Sequence, residues 1–324
     1  MLEHGGRLIA AARQFGIPRA DWLDLSTGIN PLGWPAPSIP PELWTRLPEE
    51  DDGLAETACR YYGAPRVLPV AGSQAALQAL PALRPPGRVG IPHPAYAEHA
   101  LAWRRAGHEV VAWTPDMGPD GLDALVLIHP NNPTGARYAT AQLLDWHARL
   151  AARGGWLVLD EAFLDTAPEA SLAPHCERDG LIVLRSLGKF FGLPGARVGF
   201  VMARDEILRR LHEALGPWTV PGPSRWLAQQ ALADSGWQTA ERLRLAAAGE
   251  RLARLLGEHN LTPSGGTALF QWVATRHAPE IYRRLAERGI LVRRFDDPPS
   301  LRFGLPGREP DWTRLAQALP EVVA

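Results

Sequence analysis

Seven short apolar runs alternate with longer amphipathic stretches between Arg66 and Ala203, and this alternation limits the fold more than any other feature of the 324-residue chain. The runs are "RVLPVAG", "RVGIPH", "EVVAWTP", "ALVLIHP", "WLVLDEA", "LIVLRSLG" and "RVGFVMA". Between them lie stretches such as "SQAALQALPAL", "AEHALAWRRAG" and "TAQLLDWHARLAARG", whose apolar residues recur at helical spacing. Strands that are apolar on both faces need cover on both faces, and helical crossovers supply it. The pattern therefore predicts an α/β fold built on a mostly parallel, seven-stranded sheet covered by helices. In open sheets of this kind ligands gather beyond the carboxyl ends of the strands, so the residues that follow each run are where chemistry is expected.

After "GPWTVPGPS" (Gly216 to Ser224) the texture changes to long arginine-rich amphipathic helices such as "AERLRLAAAGERLARLLGEH", followed by short strand-like pieces. This predicts a smaller α+β domain over 218–324, a large α/β domain over 36–217, and an N-terminal segment, 1–35, that contributes to the substrate site. The proline-rich "NPLGWPAPSIPPELW" reads as an irregular connection after a short N-terminal helix. A formal net charge of -1 with no run of like charges points away from nucleic acid and anionic membrane surfaces and toward a small-molecule partner. Cys59 and Cys176 lie far apart and outside any metal-ligand spacing, so they read as reduced residues and no metal is expected. The first residues do not form a signal peptide, and no stretch reaches the roughly 18 apolar residues of a membrane span, which predicts a cytoplasmic protein.

Four strand ends carry unusual residues. "LPVA" is followed by Gly72-Ser73-Gln74 and a helix; small residues opening a helix offer backbone N–H groups to a phosphate, although the same residues open many helices as simple caps. "LVLIHPNNPTG" closes with Asn131-Asn132-Pro133-Thr134-Gly135, which is also good turn chemistry. "WLVLDEAF" sets Asp160 and Glu161 directly after four apolar residues, where a carboxylate needs a partner; a structural pair with an arginine is the plain alternative. "SLGKFFGLPGAR" brings Lys189 and Arg197 after the strand that ends near Ser186.

Lys189 is the only lysine among 34 lysines and arginines. Flanked by Phe190 and Phe191, it is open to partial desolvation, which favours the neutral amine that attacks carbonyls. A lysine spared by chance from an arginine-biased composition would belong on an exposed helix, and this stretch reads as an apolar loop between strands. Arginine replaces lysine as a point charge but not as a Schiff-base amine, because a guanidinium stays protonated.

Taken in order, Gly-Ser-Gln, Asn-Pro-Thr-Gly, Asp-x-x-aromatic, Ser-x-x-Lys and an arginine eight residues after the lysine resemble the fold type I pyridoxal-phosphate enzymes, in the class I/II aminotransferase branch, across nearly the whole chain. The resemblance implies pyridoxal 5'-phosphate as cofactor and a homodimer. It also implies Lys189 as the covalent anchor, Asp160 facing the ring nitrogen and Asn132 on the ring hydroxyl. Gly72, Ser73, Gln74, Ser186 and Arg197 would then surround the phosphate, and Tyr96 would stack on the ring. Two positions depart from the pattern: Phe163 stands where a tyrosine is usual, and "RLP" with Leu47 stands in place of an Arg-Tyr-Pro element. Two hydroxyls near the cofactor are thereby missing.

Within this branch the chain is similar both to phosphothreonine decarboxylases of cobalamin biosynthesis and to histidinol-phosphate aminotransferases, which share a phosphorylated substrate. The opening "EHGGRLIAAARQFGIPRADWLDLSTGINPLGWP" resembles the decarboxylases, which implies His4, Gly5 and Asn30 as substrate contacts beside Asn132. Arg293 and Arg302 in "GILVRRFDDPPSLRFG" suit oxyanions, although arginine is abundant throughout. The implied activity is decarboxylation of O-phospho-L-threonine to (R)-1-aminopropan-2-yl phosphate, with a phosphate-tolerant aminotransferase as the alternative. A regulator or scaffold without turnover fits less well, since Lys189 and Asp160 are retained and no helix-turn-helix segment precedes the fold.

Overall fold

The computed structural model describes residues 4–323. In chain order its strands are β1 (Leu23–Leu25), β2 (Leu68–Val70), β3 (Arg88–Pro92), β4 (Glu109–Trp113), β5 (Ala124–Ile128), β6 (Trp156–Asp160), β7 (Leu181–Ser186), β8 (Gly199–Met202), β9 (Gly265–Thr267), β10 (Phe270–Ala274), β11 (Ile290–Asp296) and β12 (Pro299–Gly304). The helices are α1 (Leu8–Phe15), α2 (Leu54–Tyr62), α3 (Ser73–Ala79), α4 (Ala97–Arg105), α5 (Thr140–Ala151), α6 (Asp205–Leu215), α7 (Gly222–Ala233), α8 (Ser235–Glu258), α9 (Ala278–Glu287) and α10 (Glu309–Val323). Two compact units emerge. One comprises Trp34–Asn132 and Arg137–Thr239, the other Met1–Gly33, Pro133–Ala136 and Ala240–Ala324, so a unit boundary falls inside α8.

In the larger unit all seven apolar runs become strands of one sheet, ordered β2-β8-β7-β6-β5-β3-β4. Neighbours from β7 through β4 are parallel, while β8 runs antiparallel to both β2 and β7. Every residue of β5, β6 and β7 is buried, as strands covered on both faces must be. Val126, Val158, Ile182 and Val201 join Trp103 of α4 and Leu211 of α6 in one apolar cluster. On the opposite face Trp113 of β4 meets Trp146 of α5 edge-on, with ring centroids 4.9 Å apart. The helix expected over "SQAALQALPAL" stops at Ala79 and tightens into a 3₁₀ turn over Leu80–Leu83, because Pro81 has no N–H to continue it.

The smaller unit holds a five-stranded sheet in the order β1-β11-β12-β10-β9. β1, from the N-terminal segment, is its parallel edge strand, and the remaining pairs are antiparallel. Ala11 of α1, Trp22, Ala286 of α9 and Leu291 of β11 form its apolar cluster with Phe15 and Tyr282 alongside. The turn Pro133–Ala136 belongs here because glycines let it lie on β9: a Cβ on Gly265 would stand 2.2 Å from the Thr134 carbonyl oxygen. Among the described residues no helix is long and apolar enough to cross a membrane.

Candidate active site

Topology alone assembles the candidate residues of the larger unit. β2, β5, β6 and β7 end at one edge of the seven-stranded sheet, and β8, being antiparallel, begins there. Residues 71–74, 129–132, 160–163 and 186–189 are thus brought to the same edge as Arg197, which immediately precedes Val198 and β8.

Around Gly72 the chain makes a tight cradle. Gly72 adopts φ 71° and ψ 153°, a conformation open only to glycine, and a Cβ there would lie 2.7 Å from Arg197 Nη2. A Cβ on Gly199 would lie 2.2 Å from the Ser73 backbone nitrogen. Both glycines are what permit the opening of α3, the start of β8 and the Arg197 guanidinium to converge. Arg197 takes a left-handed φ of 54° and donates from Nη1 to the Pro194 carbonyl at 3.2 Å, while its side chain stays exposed. Ser186 ends β7 and accepts from the Gly188 N–H at 3.2 Å. Gln74 is tied to α4: its Oε1 accepts from Tyr96 Oη at 3.1 Å and its Nε2 donates to Glu98 Oε2 at 3.3 Å. Tyr96 caps the start of α4, and burial, then the negative charges of Asp160 and Glu98, push its phenol up to about 12.

Asp160 closes β6 in a buried position. Its Oδ1 accepts from the Ala162 N–H at 3.1 Å and its Oδ2 pairs with His99 Nε2 at 2.9 Å. An ionised carboxylate only accepts, so Nε2 carries the proton of that bond. The histidine, 1% exposed in the first turns of α4, does not stand out in "HPAYAEH"; its spacing after Tyr96 is a helical one, and the contact spans 61 positions. The arginine pair weighed for this carboxylate falls on its neighbour instead. Glu161 bonds Arg185 Nη1 at 2.9 Å, with Ser171 and the Leu172 N–H as further donors, and Arg185 also pairs with Asp165. All three charged groups are fully buried, and burial raises the Glu161 carboxyl pKa.

Lys189 is half-buried, with Nζ 5.4 Å from the centroid of the Phe163 ring. Phe190 and Phe191 turn into the core and pack on Trp237, at 5.3 and 5.7 Å between centroids. The two flanking phenylalanines therefore anchor the loop, and the ring against the amine is Phe163. Asn132 is half-buried after β5, beside a buried Asn131 whose Nδ2 donates to the Pro94 carbonyl at 3.0 Å.

The remaining candidates lie in the smaller unit. Arg302 on β12 is 6% exposed, donates from Nη2 to the Ser26 carbonyl at 2.9 Å, and stands 5.3 Å from the Phe270 ring centroid. Burial and then the charge of Arg293 lower its pKa to about 10, so it stays cationic at neutral pH. Arg293 is its direct cross-strand partner on β11. Gly5 lies against Ser26, and His4 is exposed. Asn30 is 2% exposed and its amide is engaged: Nδ2 donates to Glu241 Oε1 at 2.6 Å, while Oδ1 accepts from Arg244 Nη2 at 2.7 Å and the Leu32 N–H at 3.0 Å.

A profile of the aminotransferase class I and II family matches residues 47–319. A threonine-phosphate decarboxylase of Pseudomonas aeruginosa is 56% identical over 322 residues, covering 98% of this chain and 97% of that protein. In fold the chain is similar to the histidinol-phosphate aminotransferase of Sinorhizobium meliloti solved with pyridoxal-5'-phosphate, with TM-score 0.84, 20% identity, and coverage of 100% of this chain and 98% of the other. The L-threonine-O-3-phosphate decarboxylase of Porphyromonas gingivalis follows at TM-score 0.75 and 20% identity, covering 86% of this chain and 91% of the other. With the profile spanning most of its length and the same α/β sheet beneath it, the chain belongs to the aminotransferase class I and II family.

Proposed function

We propose that this protein is a pyridoxal-phosphate-dependent carboxy-lyase that decarboxylates O-phospho-L-threonine to (R)-1-aminopropan-2-yl phosphate and CO2. The observation that carries the reading is the 56% identity, over nearly the full length of both chains, to a protein named threonine-phosphate decarboxylase. Likeness to the aminotransferase structures, at about a fifth identity, speaks only to the fold.

The residues at the sheet edge fit the cofactor. The Gly72 cradle beside Arg197, with Ser73 and Ser186, suits a phosphate; Lys189 is the one lysine side chain able to take an aldehyde; and Asp160 is a buried carboxylate that accepts from His99 and the Ala162 N–H. In this reading Asn132 bonds the ring hydroxyl, Tyr96 lies against the ring and Gln74 holds Tyr96. When bound, pyridoxal phosphate supplies an aldehyde for the substrate amine and a ring that accepts electrons from a breaking bond at Cα.

The chain's own residues then decide which bond breaks. Asp160, held by His99, would keep a proton on the ring nitrogen. Arg302, with Arg293 and His4, would take the substrate's oxyanions, and the orientation they impose on the bonds at Cα would select loss of CO2. Lys189 Nζ returns the proton at Cα. Asn30, with its amide engaged by Glu241 and Arg244, acts by shaping the N-terminal segment, whose Gly5 must stay small. The same reading carries a homodimer as the working form.

One pair of incubations tests it. Purified protein with pyridoxal phosphate should release CO2 from O-phospho-L-threonine and should form no glutamate from histidinol phosphate and 2-oxoglutarate; the reverse result makes it an aminotransferase. Lys189→Ala and Lys189→Arg should each lose at least about a hundredfold in rate, since neither keeps an amine for proton transfer at Cα.

A further inference from the structure

We propose that Ser26 is a positioning residue for decarboxylation, locking the His4-Gly5-Gly6 segment and the Arg302 guanidinium into one rigid substrate grip. The inference rests on the decarboxylase reading above, in which Arg302 and His4 meet the substrate's oxyanions.

Ser26 follows β1 and is 2% exposed, and it stands inside the opening stretch that resembles the decarboxylases without a role of its own there. Each of its polar atoms has a hydrogen-bond partner. Its carbonyl oxygen accepts from Arg302 Nη2 at 2.9 Å. Its Oγ accepts from the Gly6 N–H at 2.7 Å and donates to Asp24 Oδ1 at 2.6 Å, and its own N–H reaches the same Oδ1 at 2.9 Å. One buried residue thus touches both ends of the grip: the hydroxyl holds the segment that carries His4, and the carbonyl holds the arginine.

The fit around this residue leaves little play. A Cβ on Gly5 would stand 2.2 Å from the Ser26 carbonyl oxygen, the same atom Arg302 uses, so the segment reaches the guanidinium's acceptor only because residue 5 has no side chain. Gly6 takes φ +77°, a left-handed conformation that favours glycine, and its N–H donates to the hydroxyl. From the other side, a Cβ on Gly304, two residues after Arg302, would come within 2.1 Å of the Thr27 carbonyl oxygen. The stretch 24–27 is held between the segment on one side and β12 on the other. Asp24 fixes the Ser26 rotamer and adds a negative charge that favours the cationic form of Arg302 against the repulsion of Arg293.

The chemistry explains why such a lock matters here. Selecting the Cα–carboxylate bond over the Cα–H bond is a matter of orientation, and orientation fails when the groups that hold the substrate move independently. A hydroxyl that accepts from one group and donates to another transmits position; a methyl does not.

Ser26→Ala, Ser26→Thr and Gly5→Ala are to be compared with the wild type as holoenzymes. KM and kcat are read from CO2 release with O-phospho-L-threonine, cofactor content from absorbance, and unfolding from a thermal melt. Ser26→Ala should raise KM about tenfold, the worth of one buried hydrogen bond, with cofactor content unchanged and melting lowered by no more than about 5 °C; Ser26→Thr, which keeps the hydroxyl, should return to within about threefold of wild type; Gly5→Ala should be at least as impaired as Ser26→Ala. An active wild type with an indifferent Ser26→Ala overturns the inference alone, as does an Ala variant whose melting and cofactor content fall together with its activity. A wild type that releases no CO2 overturns the decarboxylase reading and this inference with it.

Discussion

His99 governs how Asp160 can act. Both groups are buried, so their 2.9 Å bond is worth more than one in water, and only the Ala162 N–H would remain on the carboxylate without it. His99→Ala should therefore lower kcat by roughly tenfold to a hundredfold, the scale of one hydrogen bond to a charged group, and weaken pyridoxal-phosphate binding in a titration. Unchanged kcat and affinity would show that Ala162 alone suffices. Asp160 itself is legible in the sequence because a carboxylate closing an apolar run demands a partner. The identity of that partner is not legible, because His99 arrives from α4 through the packing of helix on sheet. The same limit applies to Lys189: its uniqueness is plain in the composition, but the ring beside its amine is Phe163, which lies on a different strand end, and not the phenylalanines next to it.

Elements were legible in proportion to their apolar length. The seven strands of the large sheet are runs that bury nearly every residue, so the sequence pattern and the fold agree there. β1 is different: Leu23-Asp24-Leu25 is three residues long, and it is a strand only because β11 offers it an edge, which no local pattern announces. The end of β5 yields a prediction of its own. His129 is fully buried, its ring stacked on Tyr138 at 6.0 Å and its Nδ1 accepting from the Tyr138 N–H at 3.4 Å. Burial, then the charge of Arg137, lower its pKa from 6.5 to about 4. The folded protein therefore binds fewer protons at this site than the unfolded chain between pH 6.5 and 4. Stability contributed by the neutral ring is whole above pH 6.5 and falls as pH drops toward 4, by about 3 kcal/mol across the window. His147 has the same direction, whereas Glu161, with a raised pKa, has the opposite one. Urea unfolding from pH 7 to pH 4.5 should show the loss, and His129→Asn should flatten the slope; parallel slopes for the two proteins would remove His129 from the account.

For the molecule as a whole, the surface of the larger unit carries an unusual expense. Trp44, Leu47 and Trp218 are 67%, 65% and 55% exposed, while most other large apolar residues of this unit are buried. The turn that holds Trp44 packs on the opening of α7, where a Cβ on Gly222 would stand 3.2 Å from the Leu43 carbonyl oxygen, and Trp218 lies just upstream of that contact. Trp218 also takes a left-handed φ of 58°, a costly conformation for a bulky residue, so the chain spends backbone strain to present this indole outward. Large apolar side chains kept at the surface mark interaction sites, and a soluble enzyme most often covers such sites with a second copy of itself related by a two-fold axis. Leu47, three residues after Trp44, adds a further exposed apolar side chain to this stretch. Light scattering on the purified protein should therefore give about twice the mass of one chain, and the double variant Trp44→Glu with Trp218→Glu should shift it toward the monomer, because carboxylates buried without partners in the interface would oppose association. A wild type that scatters as a monomer at micromolar concentration, or a double variant that stays dimeric, would place the apolar residues outside any self-association.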